Sequence, residues 1–205
     1  MECDMKRNNQ FERTDRDITN ALLALMDRKT FEKITVQDIL DEALINRSTF
    51  YQHFPDKYAI LERLQEQVVL GMMNSVSEVT KEKILDLNVI NTVLFSYLSE
   101  RREIMLKLSS VRSETLNLEK QMQDFFVSWL QADNHVLSAV EQRILAGMMV
   151  TYMTDCLKNN IDFSAVSTEM LDMWLNMSIF FFRLQDKPDA KEKLLGLIRE
   201  LHGVS

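Results

Sequence analysis

Between Thr35 and Lys57 the chain reads TVQDILDEALINRSTFYQHFPDK, and these residues must hold two short helices with a tight connection between them. Thr35 followed by Asp38 has the spacing of a capping box, and Val36, Ile39, Leu40 and Ala43 form one apolar face of a helix about two turns long. Asn46 is an N-cap residue for the next helix, and Ile45 before it can staple against Phe50. Phe50 and Phe54 continue the buried face. At about 100° per residue, Ser48 and Gln52 point away from that face, with Thr49 and Tyr51 on its flanks. A merely solvated helix face usually carries Lys and Glu, whereas this one is built from hydrogen-bonding side chains. Two readings fit the stretch itself: a helix-turn-helix that presents its second helix to a ligand, or an ordinary helical subdomain with a wetted face.

The surrounding sequence is just as restrictive. Four Gly and two Pro in 205 residues leave strands and tight turns poorly supplied, so the fold class is all-α. Upstream, Ile18, Ala21, Leu22, Leu25 and Met26 recur at helical spacing, which predicts a first helix capped at Thr14 or Asp15 and ending near Asp27, with order from about residue 13. Downstream, Pro55 and Asp56 interrupt the chain. A long fourth helix striped with Ile60, Leu61, Leu64, Val68 and Met72 then runs to about Val79. Further helices are expected near Val89–Ser99, Arg101–Ser109, Leu116–Leu130, Val140–Lys158, Ser167–Leu184 and Asp189–Leu201. The expected organisation is an N-terminal three-helix domain over 1–56 that includes the helix-turn-helix candidate, joined by the long helix to a C-terminal helical domain over 57–205.

Other classes find little support. Cys3 and Cys156 are far apart with no C-x-x-C pair, no apolar run is long enough for a bilayer, and the N-terminus has no signal-peptide pattern. A cytoplasmic protein without a membrane partner is expected. No metal site, cofactor cradle or catalytic constellation is legible, so no cofactor is expected and an enzyme is the most distant reading. The formal net charge of -7 argues against non-specific affinity for nucleic acid, but a small contact surface needs only a few local cations and helix N-termini.

The run from Ile34 to Leu61 closely resembles the DNA-binding region of the tetracycline-repressor (TetR) family, with Thr35, Ile39, Ala43, Thr49, Tyr51, His53, Phe54, Lys57 and Leu61 at matching positions. It departs from the family pattern at Leu44 and Ser48, where glycine is usual or frequent. A left-handed backbone at Leu44 would cost about 1 kcal/mol or more. The resemblance implies a DNA-contact set of Thr35, Gln37, Asn46, Arg47, Ser48, Thr49, Tyr51, Gln52, His53 and Lys57. Within it, Tyr51 and Lys57 would mostly hold phosphate, and Thr35 and Gln37 would lie beside the backbone or a groove edge. Arg47 and Gln52 are the candidates for reading guanine and adenine in the major groove.

It also implies a homodimeric regulator of a palindromic double-stranded operator, with an apolar or amphipathic small molecule as effector. Candidate pocket residues are Tyr97, Trp129, Met148 and Tyr152. Helices near 140–158 and 167–184 are apolar on more than one face, which places Ile144, Met148, Met149, Tyr152, Trp174, Met177, Ser178 and Phe181 in a candidate dimer interface. The alternative is a co-regulator of the same fold that acts through protein contacts without a small effector.

Overall fold

The computed structural model describes residues 2–80, 87–112, 116–133 and 138–161. Among them are eight α-helices, one short 3-10 turn and no strand. They are α1 (Glu2–Met26), the 3-10 turn (Phe31–Lys33), α2 (Val36–Ala43), α3 (Arg47–His53), α4 (Lys57–Thr80), α5 (Leu87–Glu100), α6 (Arg102–Ser109), α7 (Leu118–Asp133) and α8 (Ala139–Asn159). The expected helices at Ser167–Leu184 and Asp189–Leu201, with Trp174, Met177, Ser178 and Phe181, lie outside the described residues.

α1 corrects the sequence expectation at its start. Thr14 and Asp15 do not cap the helix but lie inside it, because the twelve positions before them contain neither Gly nor Pro and the helix continues back to Glu2. The Thr14 hydroxyl donates back to the Gln10 carbonyl at 3.1 Å, an intrahelical bond that an N-cap could not make.

Two compact units divide the chain. Among the described residues, the first contains those up to Val68 together with those between Glu103 and Leu118, and the second contains those between Val69 and Arg102 and those from Glu119 to Ile161. In the first unit the core takes Ile18, Leu22 and Leu25 from α1, Phe31 and Ile34 from the 3-10 turn and its end, and Ile39 and Leu40 from α2. Phe50, Phe54, Ile60, Leu61, Leu64, Met105 and Leu108 complete it. Full burial of side chains of this size contributes about 1.5–3 kcal/mol each, which is what holds helices as short as α2 and α3 in place. Lys107 of α6 closes the C-terminal end of α1, donating to the Leu23 carbonyl at 3.2 Å and pairing with the Asp27 carboxylate at 2.7 Å.

In the second unit Met72, Val76, Leu94, Phe95, Leu98, Met122, Phe126, Ala146, Val150, Met153 and Leu157 are buried. Gly71 lets α5 approach α4 closely: a Cβ there would lie 2.5 Å from Tyr97 Cζ and 2.8 Å from Cε2. Burial pushes the Tyr97 phenol above its ordinary pKa, while the nearby Arg101 acts in the opposite sense. α8 starts at a Ser138–Glu141 capping box, and Arg102 Nε donates to the Leu157 carbonyl in its last turn at 2.7 Å. Its buried stripe is Gln142, Ala146, Val150, Met153 and Leu157. Of the dimer candidates on α8, Ile144 is exposed, whereas Met148, Met149 and Tyr152 are half-buried. The pocket candidates Tyr97 and Trp129 are half-buried as well. Among the described residues, no helix is long and apolar enough to cross a membrane.

Candidate nucleic-acid interface

The candidate interface is assembled from the ends of three short segments. Thr35 begins α2 in extended conformation, and its hydroxyl accepts from the Asp38 amide at 3.1 Å while the Asp38 carboxylate accepts from the Thr35 amide at 2.8 Å. That reciprocal box supplies partners for two backbone donors and fixes the first turn. Lys29 adds a 2.7 Å ion pair to Asp38. The Lys29 ammonium, followed by the Thr35 amide and hydroxyl, lowers the Asp38 pKa from 3.8 to about 2.

α2 ends at Leu44, whose backbone is left-handed with φ 55° and ψ 40°. The Leu44 amide bonds to the Leu40 carbonyl, and the Ile45 amide reaches the same oxygen at 3.1 Å, which closes the turn in the manner of a Schellman motif. Leu is an unusual occupant of that conformation, and its side chain is 91% exposed. Asn46 then caps α3: its Oδ1 accepts from the Thr49 amide at 2.8 Å and from the Ser48 hydroxyl at 2.7 Å. The side chain at Ser48 is thereby held against the cap.

α3 buries Phe50 and turns Arg47, Ser48, Tyr51 and Gln52 to solvent, with Thr49 half-buried beside them. Thr35, Gln37 and Asn46 are exposed as well. Gln37 Nε2 donates to Asp41 Oδ1 at 2.8 Å, leaving its carbonyl oxygen as the acceptor outside that bond. Arg47 and Gln52 make no side-chain hydrogen bond or ion pair among the described residues, so their full donor sets remain for a ligand. The Tyr51 ring rests edge-on against Phe50, and the residue as a whole is exposed.

Two expected members of the contact set are turned inward. The side chain of His53 is only 5% exposed; it pairs through Nδ1 with Asp15 of α1 and stacks on Phe11 at 3.9 Å between ring centroids. Asp15 uses its other oxygen for Arg63 of α4 at 2.8 Å, so one carboxylate ties α1, α3 and α4 together. Lys57 is also engaged internally. Its ammonium donates to the carbonyls of Phe31 at 2.8 Å, Glu32 at 3.1 Å and Ile34 at 2.7 Å. Those bonds use all three N–H donors, and desolvation lowers the Lys57 pKa below its ordinary value. Asp15, Arg63 and Phe11 were not legible as partners because they lie on different helices from His53.

A capped α2, a closed left-handed turn and an α3 with one buried and one polar face define a helix-turn-helix DNA-binding domain. Residues 18–64, which build it, match the family model described as bacterial regulatory proteins, tetR family. The match is confined to that N-terminal segment, which is similar to the DNA-binding region of the family's members. No curated protein matches the sequence.

Three solved structures share the fold at low identity. A TetR-family transcriptional regulator from Syntrophomonas wolfei superposes with TM-score 0.65 at 17% identity, over 82% of this chain and 93% of its own. A TetR transcriptional regulator from Streptococcus agalactiae gives 0.64 at 18%, over 85% and 98%. A gamma-butyrolactone receptor, an ArpA-like protein, gives 0.55 at 17%, over 91% and 98%.

Proposed function

We propose that the protein is a homodimeric repressor that binds a palindromic operator through α3 and is released by a small apolar or amphipathic effector. In this reading residues 1–56 act as the DNA-binding domain and residues 57–205 as the regulatory and dimerisation domain. The observation that carries it is the exposed face of α3, where Arg47 and Gln52 keep their donors free while the opposite face is anchored by buried Phe50.

Arg47 reads guanine and Gln52 reads adenine in the major groove. Thr35, Gln37, Asn46, Ser48, Thr49 and Tyr51 contact the sugar-phosphate backbone or the groove edge and set register. His53 and Lys57 support the face from within, since both side chains are already partnered. Two copies of α3 meet half-sites about 34 Å apart or a related spacing, as a symmetric dimer requires.

Dimerisation draws on α8, where exposed Val140 and Ile144 continue into half-buried Met148, Met149 and Tyr152. The half-buried Tyr97, Trp129, Met148 and Tyr152 supply aromatic and thioether surface with hydrogen-bonding tips, suited to an amphipathic ligand. The ligand-receptor relative of the same fold supports an effector of that kind. An effector that favours the DNA-incompetent form shifts α4, changes the separation of the recognition helices, and couples the two sites by about 1–3 kcal/mol.

Selection from random duplexes tests the assignment. Arg47→Ala and Gln52→Ala should each weaken the preferred sequence by about 1–3 kcal/mol and relax base preference at one position per half-site. Unchanged preference in both variants would remove α3 as the reading element.

A further inference from the structure

Lys57 stands where the resemblance implies a phosphate ligand, yet its surroundings are those of a closed cation site. The carbonyls of Phe31, Glu32 and Ile34 converge on the ammonium from the 3-10 turn and the residue that follows it. The Phe31 carbonyl also accepts from the Ile34 amide at 3.1 Å, and the Phe31 and Ile34 residues that carry two of the three carbonyls are buried. The face of the Phe31 ring lies 4.6 Å from Nζ and that of Tyr58 5.5 Å, so aromatic surface adds to the three oxygens. The compact ammonium, with three donors in tetrahedral arrangement, suits this cradle; the planar guanidinium of arginine does not.

We infer that Lys57 is a positioning residue that fixes the start of α2 and makes no phosphate contact. The inference rests on the DNA-binding reading above. Ile34, whose carbonyl receives the shortest of the three bonds, directly precedes Thr35, the N-cap of α2. Lys57 is itself the first residue of α4. The ammonium therefore ties the entry of α4 to the entry of α2, and α3 with its exposed polar face is the segment between them. A displaced cradle moves Thr35 and the Asp38 box, and with them the turn on which α3 is mounted. Lys57 acts on DNA affinity through backbone placement, whereas a phosphate ligand acts through its charge.

The two roles separate in salt titrations of Lys57→Met, which keeps the aliphatic stem, and Lys57→Arg, which keeps the charge. The probes are a duplex enriched from a random pool by the wild type and a duplex of scrambled sequence. If Lys57 positions α2, both variants lose affinity for the enriched duplex, arginine restores nothing, and the slope of log Kobs against log[salt] equals that of the wild type. If Lys57 holds phosphate, methionine lowers the slope by about 0.9 per protomer while arginine keeps wild-type binding, and that result overturns the inference.

Hydrogen exchange supplies an arm that needs no DNA: both variants should speed exchange at the amides of the first turn of α2, and unchanged exchange there also overturns it. A third arm needs no substitution. The Lys57 ammonium resonance of the nitrogen-labelled wild type should persist in the free protein and stay in place when the enriched duplex is added; a shift on binding assigns it to phosphate. A wild type that enriches no duplex defeats the DNA-binding reading and the claimed effect of Lys57 on affinity, while the exchange arm still decides whether Lys57 holds the start of α2.

Discussion

Leu44 offers a sharp test of how the connection between α2 and α3 is built. Its backbone is left-handed, with φ 55° and ψ 40°, and its side chain is 91% exposed. A left-handed conformation costs an L-residue roughly 1–2 kcal/mol, because Cβ crowds the following carbonyl. Against this, full burial of a leucine contributes about 1.5–3 kcal/mol, and the small fraction covered here retains only about 0.2 kcal/mol. Leu44→Gly removes the steric cost but adds about 0.5–1 kcal/mol of chain entropy lost on folding. The balance, with the lost packing included, is a gain of about 0.3–0.8 kcal/mol. Leu44→Asn tolerates the left-handed region without the extra flexibility of glycine and should gain a similar amount. Leu44→Val should lose stability, since a β-branched residue is least tolerant of positive φ.

With an m-value of about 2 kcal/mol/M in urea, the glycine and asparagine variants should raise the unfolding midpoint by about 0.15–0.4 M. Because the chain forms two units, a local measurement should accompany the melt. The Ile45 amide, bonded to the Leu40 carbonyl across the turn, should exchange more slowly in both stabilised variants. Destabilisation of both by more than about 1 kcal/mol would refute the reasoning, because only a packed leucine or a turn of different hand could produce it.

Three further outcomes follow from contacts elsewhere. The Asp38 pKa, lowered from 3.8 to about 2 by Lys29 and the Thr35 donors, lies below that of the unfolded chain. Its contribution to stability is therefore complete above pH 3.8 and is lost as the pH falls through about 2. Denaturant midpoints of wild type and Asp38→Asn should converge over that window, and a gap that does not change with pH counts against the assignment. Gly71→Ala, a change that ordinarily favours a helix by about 1 kcal/mol, should instead destabilise this one by driving Cβ into the Tyr97 ring; in a Tyr97→Ala background the sign should reverse. Asp15→Asn should cost more than Arg63→Ala in thermal melts, since Asp15 serves both the inward-facing His53 and the more exposed Arg63. Equal costs would show that the His53 arm adds nothing.

What was legible in the sequence is what short-range chemistry determines. Thr35 and Asp38 are three residues apart, Asn46 and Thr49 likewise, and such caps act within a single turn, so α2 and α3 could be located from their own residues. The face of α3 followed for the same reason, because Phe50 and Ser48 are placed on opposite sides by helical geometry alone. The start of α1 was misread for a related one: Thr14 and Asp15 are competent N-caps, but a cap stops a helix only where the preceding residues resist helix formation, and residues 2–13 do not.

Availability of side chains was the part that local sequence could not decide. His53 and Lys57 stand at positions where the family resemblance implies DNA contact, and nothing in their neighbours shows otherwise. Their partners lie 38 residues away at Asp15 and 26, 25 and 23 residues away at Phe31, Glu32 and Ile34. The same distinction separates the cations that a sequence contains from those a surface can offer. Around α2 and α3, Arg28 pairs with Glu42, Lys29 with Asp38 and Arg63 with Asp15, while Lys57 is held by carbonyls; Arg47 has no ion pair among the described residues. On the proposed reading, a face with few uncommitted cations gains little from counterion release and must obtain its discrimination from hydrogen bonds to base edges. A net charge of -7 and a DNA-reading helix are then compatible, because discrimination on that face rests on a single cation, Arg47, beside the neutral Gln52.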